Sequence, residues 1–223
     1  MSENYYLTLV LQNENYLTVK KLKPIPMKNL FFLLLLLNFS AQAQWIELLN
    51  GRDLSGWKTS ENPNSFQVKD GELVVAGPRG HLFYDGPVGN HNFQNFEVKA
   101  IVKTYPGANS GLYVCTAFLE NNWPSQGYEI QVNNSHTDWR RTASLYGIVD
   151  TAEKLVHDEE WFELHVKVEG KHITTKINGR TVVDFVEPVG RTDNRRIQPG
   201  TIAIQAHDPK SRIAYKSVQV KLN

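Results

Sequence analysis

The chain has 223 residues, and Lys+Arg 24 against Asp+Glu 23 leave a formal net charge of +1. With no basic run in it, nucleic acid is not an expected partner. That length carries one domain with a sizeable core, and the aromatic content of 11% suits a β core or a sugar-stacking surface without separating the two.

Met27-Lys28-Asn29 precede the apolar run 30–37, and Ala41-Gln42-Ala43 follow it. A basic start, a short apolar stretch and an Ala-x-Ala end form the pattern of a secretory signal peptide cut after Ala43. The run is too short to span a bilayer. Residues 1–43 therefore read as an N-terminal extension and leader with its start at Met27, and 44–223 as a single periplasmic or secreted domain without a membrane span. A start at Met1 would leave an unusually long basic region before the apolar run. Cys115 is the single cysteine, so no internal disulfide can form, and its place within a strand favours a buried, inert thiol.

After the leader, 45–49 reads as a short strand running into a turn-rich loop at 50–57. Segments 65–69 and 72–76 form a hairpin around Asp70-Gly71. A Gly/Pro-rich loop leads to a long alternating strand at 93–103, a turn at 105–110 and a strand at 111–116. A loop at 118–125 carries Trp123-Pro124 at its tip. The strand 127–132 follows, then a polar loop at 133–141, a strand-like rim at 144–149 and a helical turn or two at 151–160. Segment 161–168 alternates cleanly, and 171–177 joins 180–185 through Asn178-Gly179, a strong hairpin signal. Strands at 201–206 and 212–220 close the chain. Many short strands and no helical period predict an all-β sandwich of two antiparallel sheets.

Two strands stand out. In Gly127-Tyr128-Glu129-Ile130-Gln131-Val132, alternation puts Tyr128, Ile130 and Val132 on one face and Glu129 with Gln131 on the other. In 201–208, Ile202, Ile204 and Ala206 oppose Ala203, Gln205 and His207. A carboxylate and carboxamides in the middle of a sheet require partners or a ligand, so these faces are expected to build a polar cleft, although many such faces are simply solvated. No phosphate loop, nucleophile elbow or His-Glu-x-x-His helix is present. Glu129 has no second carboxylate on its strand, which argues against two-carboxylate glycoside hydrolysis.

A series of motifs resembles the 3-keto-disaccharide hydrolase domain family in order and over nearly all of 44–223. It runs through Leu49-Asn50-Gly51-Arg52-Asp53-Leu54-Ser55-Gly56-Trp57, Asn109-Ser110-Gly111-Leu112-Tyr113, Gly127-Tyr128-Glu129-Ile130-Gln131, Ser144-Leu145-Tyr146-Gly147, Ile177-Asn178-Gly179 and 200–207. The resemblance implies a secreted, concanavalin A-like jelly roll that cleaves glycosidic bonds in 3-keto-glycosides. Cys115 departs from the pattern, since related chains often carry an arginine there.

The chemistry is consistent with the residues. A ketone at carbon 3 acidifies the proton on carbon 2, and the glycosidic oxygen lies β to it, so elimination followed by water addition breaks the bond. That route needs a base, an enolate stabiliser and an acid. His207 is assigned as base and Glu129 as acid or orienting group, with the reverse assignment also open. Gln131, Gln205, Asn109 and Tyr146 are expected to hold hydroxyls or the enolate oxygen, and Trp123, Trp139 and Arg141 to line the rim. Core or loop packing for the aromatics, and solvated charge for Arg140 and Arg141, compete with those roles. A divalent metal at Glu129 and His207 would polarise the ketone, but two ligands are an incomplete set and no cofactor is assigned. His81, His91, His157, His165 and His172 read as surface residues or exposed strand faces. The competing function is a non-catalytic, lectin-like carbohydrate-binding module.

Overall fold

The structure, a computed structural model, describes residues 7–9, 19–21 and 44–223, so the leader expected at 27–43 lies outside the described residues. Two compact units result, Met1–Gln42 and Ala43–Asn223. In the first, β1 (Leu7–Leu9) pairs antiparallel with β2 (Val19–Lys21).

The second unit is all β and consists of two antiparallel sheets. The smaller sheet has the order β10 (Tyr128–Val132), β9 (Ser110–Thr116), β14 (Thr201–Ala206), β7 (Gly80–Tyr84), β4 (Trp57–Glu61). The larger follows β13 (Arg180–Val186), β12 (His172–Ile177), β11 (Phe162–Glu169), β8 (Phe96–Thr104), β15 (Arg212–Leu222), β6 (Glu72–Ala76), β5 (Phe66–Lys69), with β3 (Ile46–Glu47) added beside β15. The core lies between the sheets. From the small sheet it takes Leu82, Leu112, Tyr128, Ile130, Ile202 and Ile204, and from the large one Phe96, Val98, Leu164, Val166 and Val218, among others.

The clean alternation of β8 and β11 marks sheet strands with one wetter face. Asp70 and Asn178 both take positive φ, with Gly71 and Gly179 beside them, as tight hairpins require. Two strands escape the expected list. β7 lies within the Gly/Pro-rich stretch, and every one of its residues is buried, so it shows no period for a sequence reading to detect. β4 begins at Trp57, where the turn-rich loop was expected to end. In the other direction, 144–149 forms isolated bridges from Leu145 to Ile130 and Val149 instead of a strand, and 151–160 forms no helix. Among the described residues no helix is long and apolar enough to cross a membrane.

β9 carries a register slip against β14 between Thr201 and Ala203, where Cys115 takes a φ of +57°. The bulge sends both Val114 and Cys115 into the core, and burial pushes the Cys115 thiol up to about 12. The position that departs from the family pattern thus faces away from the outer surface of the sheet.

Candidate functional site

The outer face of the small sheet is set by alternation. Glu129, Tyr113, Ala203, Phe83 and Lys58 are successive cross-strand partners from β10 to β4. One row over, Gln131 pairs with Gly111 and Gln205 with His81. A cleft of about 300 Å3 opens above β10, β9 and β14, lined by Glu129, Gln131, Asn109, Tyr113, Tyr146, Trp123, Arg195, Gln205 and His207. Among the described residues no cluster of three or more His, Cys, Asp and Glu has metal-site spacing.

Glu129 is at the floor. Tyr113 donates its phenol hydrogen to Oε2 at 2.9 Å, and Gln205 donates Nε2–H to Oε1 at 3.1 Å and to the Tyr113 oxygen at 2.9 Å. Burial, only partly offset by those two hydrogen bonds and by the more distant positive charge of Arg195, raises the Glu129 carboxyl from 4.5 to about 7. Burial and the adjacent carboxylate push the Tyr113 phenol well above its usual range. Glu187 provides the contrast. Burial acts on it in the same direction, but Lys171 at 2.7 Å, the Ile197 amide and the Tyr128 hydroxyl outweigh that and lower its carboxyl. Neutral partners distinguish the Glu129 site from this structural ion pair.

Gly111 makes the floor possible. A Cβ there would lie 2.5 Å from Glu129 Oε1 and 2.8 Å from its Cγ, so only a glycine leaves room for the carboxyl. Gln131 donates to Asn109 Oδ1 at 2.8 Å, while the side-chain Oε1 atoms of Gln131 and Gln205 are buried without a protein partner. Such acceptors are matched to the hydroxyl hydrogens of a bound ligand.

His207 follows the end of β14. Its Nδ1 lies 2.8 Å from Asp208 Oδ2, and Ser211 Oγ and the Lys210 amide also donate to that carboxylate. Burial raises Asp208, but these bonds outweigh it and hold the carboxyl down at about 2. An ionised Asp208 retains the proton on Nδ1 and leaves Nε2 as the basic nitrogen.

Arg195 enters from the loop before β14, a residue for which the sequence carried no signal beyond generic loop charge. It donates to the Tyr146 carbonyl, whose amide in turn donates to the Glu129 carbonyl at 2.9 Å. The Gly127 amide donates to the Asn194 carbonyl at 3.0 Å, which ties the arginine loop to the start of β10.

Of the expected residues, the cleft brings together Glu129, His207, Gln131, Gln205, Asn109, Tyr146 and Trp123. Trp139 and Arg141 are not among its lining. Trp139 is exposed beside the Arg140 guanidinium, and Arg141 donates to Asn133 Oδ1 and to the His136 and Asp138 carbonyls, bracing the 133–141 loop.

His81 corrects an expectation. It is not a surface residue but is 0% exposed, with neither ring nitrogen bonded to protein. It meets Tyr113 and Trp123 edge-on at 5.6 Å each, and Trp123 also lies 5.4 Å from His207. Only its register partner Gln205 would have indicated its place beside the cleft. Burial, with nearby Glu61 acting against it, lowers the imidazole from 6.5 to about 4. Between those values the unfolded chain takes up a proton that the folded one refuses, so His81 lowers stability as pH falls below 6.5. His81→Phe is expected to raise stability by about 1 kcal/mol at neutral pH, by relieving unpaired nitrogens, and by more at pH 5. Thermal melts of both proteins across pH 5–8 check this; parallel curves would refute it.

A profile of the 3-keto-alpha-glucoside-1,2-lyase-like domain matches residues 44–221. A 3-keto-disaccharide hydrolase of Bacteroides thetaiotaomicron is 23% identical over 168 residues, 63% of this chain and 58% of that relative's length, so the chain spans little more than half of it. Among solved structures, a candidate glycosyl hydrolase from Parabacteroides distasonis superposes with a TM-score of 0.66 at 23% identity, covering 79% of this chain and 93% of that one. The carbohydrate binding module CBM66 of Bacillus subtilis gives 0.55 at 9% identity over 74% of this chain and 95% of its own. At these identities the structures share the jelly-roll fold.

Proposed function

Because the chain belongs to the 3-keto-alpha-glucoside-1,2-lyase-like domain family, we propose that its cleft cleaves the glycosidic bond of 3-keto-glycosides by elimination. The observation that carries this reading is the Glu129 carboxyl, raised to about 7, in one cleft with a histidine oriented by Asp208. An acid near neutrality and a base with a set tautomer are what proton removal at carbon 2 and proton delivery to the oxygen leaving carbon 1 require.

His207 Nε2 takes the carbon-2 proton. The electron pair moves into the carbon 2–carbon 3 bond and charge builds on the ketone oxygen, where the guanidinium of Arg195 is the available cationic donor. As that charge returns, the carbon 1–oxygen bond breaks and protonated Glu129 gives its proton to the leaving oxygen. The immediate product is a 1,2-unsaturated 3-keto sugar. Water adding at carbon 1 completes a net hydrolysis. His207 ends protonated and Glu129 ionised, and exchange with solvent restores both. The side-chain Oε1 atoms of Gln131 and Gln205 accept from sugar hydroxyls, and Trp123 closes one wall.

Export of residues 44–223 through the leader at 27–43 belongs to the same proposal, and mass measurement of the exported chain tests the cut after Ala43. The function is tested by offering a 3-keto aryl glucoside and a 3-keto-disaccharide beside their unoxidised parents, with and without chelator. Cleavage of the keto forms alone, falling by about 10²-fold or more in His207→Ala, is the expected result. Loss of turnover on chelation would add a metal to the site. Binding without turnover of any keto sugar would make the chain a carbohydrate-binding module instead.

A further inference from the structure

A second cavity, of about 440 Å3, opens on the same outer face toward the other end of β14. We propose that it is a sugar-binding site that takes a distal pyranose of an oligosaccharide whose oxidised end occupies the cleft; this rests on the cleft being the place of cleavage.

The bulge at Cys115 creates this cavity. By turning two successive residues into the core it returns Thr116 to the outer face, opposite Thr201. Both threonines line the second cavity, at the far end of the strand that carries Gln205 and His207 into the first. Thr116 is 0% exposed, and its hydroxyl finds no protein partner, whereas Thr201 donates to the Tyr84 carbonyl at 2.6 Å. A buried unpaired hydroxyl on a cavity wall is matched to a polar ligand or to water.

The walls favour a neutral hydroxylated ring. Phe83 and Phe118 meet edge-on at 5.2 Å, and Phe118 keeps 39% of its surface exposed. Around them stand Gln126, Asn90 and Asn92, and one charge of each sign, Lys58 and Asp85. Aromatic carbon combined with amides and no net charge suits a sugar better than an anion or a purely apolar group. The Lys58 ammonium sits 3.8 Å from the Phe118 ring centre and holds that ring at the wall.

The two cavities are also linked. One loop walls both, with Phe118 and Gln126 on the second and Trp123 and Pro124 on the first. From Glu129 through Tyr113 and Ala203 to Phe83 there are three cross-strand steps, or about 14 Å at sheet spacing. A ring in the second cavity is therefore not the one joined to the breaking bond but one farther along the chain.

The test uses the mature chain, with Phe118→Ala and the shape-conserving Thr116→Val. Calorimetry with unoxidised maltotetraose and cellotetraose, each beside its disaccharide, reads binding independently of turnover. At least one tetrasaccharide should bind more tightly than its disaccharide. That gain should fall by roughly tenfold in Phe118→Ala and survive in Glu129→Gln. In kinetics, Phe118→Ala should raise KM for a 3-keto-tetrasaccharide and leave a 3-keto aryl glucoside unchanged. No gain with length, or equal losses on short and long ligands, would overturn the proposal. Length-dependent binding lost in Phe118→Ala, with no keto sugar cleaved, would refute the cleavage reading and leave a carbohydrate site.

Discussion

Glu129→Gln is expected to lower kcat on a 3-keto-glycoside by about 10²- to 10⁴-fold, the usual worth of a positioned acid or base, while KM changes little. The amide keeps the shape and one acceptor for Tyr113 or Gln205 but can deliver no proton. Wild-type activity should decline as pH rises through about 7, where the raised carboxyl loses its proton. A rise through the same pH would exchange the roles of Glu129 and His207. Stability should fall in the same direction as activity, over a lower pH window. The folded carboxyl keeps its proton up to about 7, whereas the unfolded one loses it near 4.5. Over that window the folded state holds the extra proton, so stability drops as pH rises and stays lower above it. The Gln variant has no such loss, and its melting temperature should exceed that of wild type at pH 8 by more than at pH 5. Equal differences at the two pH values would mean that the Glu129 carboxyl is not desolvated as its surroundings imply.

Gly111→Ala is expected to abolish most of the activity and to cost about 1–3 kcal/mol of stability through the buried hydrogen bonds it breaks. The added methyl would stand 2.5 Å from Glu129 Oε1 and 2.8 Å from Cγ, and φ at this residue is not in the left-handed region, so the backbone accepts alanine. The conflict is therefore between two side chains. Glu129 must swing off the floor, which breaks its bonds from Tyr113 and Gln205. A displacement of about 1 Å at a reacting group costs on the order of 10²-fold. The double variant Gly111→Ala/Glu129→Gln should be scarcely worse than Glu129→Gln alone, because both remove the same group. A Gly111→Ala enzyme with wild-type kcat would show that the carboxyl acts from some other position.

Period-2 alternation was sufficient to put Tyr128, Ile130 and Val132 in the core and Glu129 with Gln131 on the outer face, because a strand has only two sides. The same rule placed Ile202 and Ile204 inward and sent Gln205 and His207 to the cleft. Turn chemistry at Asp70-Gly71 and Asn178-Gly179 marked both hairpins, since positive φ restricts the residue types that can stand there. Alternation does not say which strands are neighbours. Only the tertiary structure put β9 between the two strands, bringing Tyr113 against Glu129 and leaving room for its carboxyl beside Gly111. In sequence His81 reads wrongly as a surface residue, and Phe83 goes unread, because β7 is covered on both sides and has no period. Arg195 escaped notice because its loop is held by single hydrogen bonds to Gly127 and Tyr146, which leave no pattern in sequence. The desolvation of Glu129 is likewise a property of what surrounds it in space. Local sequence determined which way each side chain faces; long-range strand order decided which of them meet, because contacts between distant strands are set by the packing of the whole core.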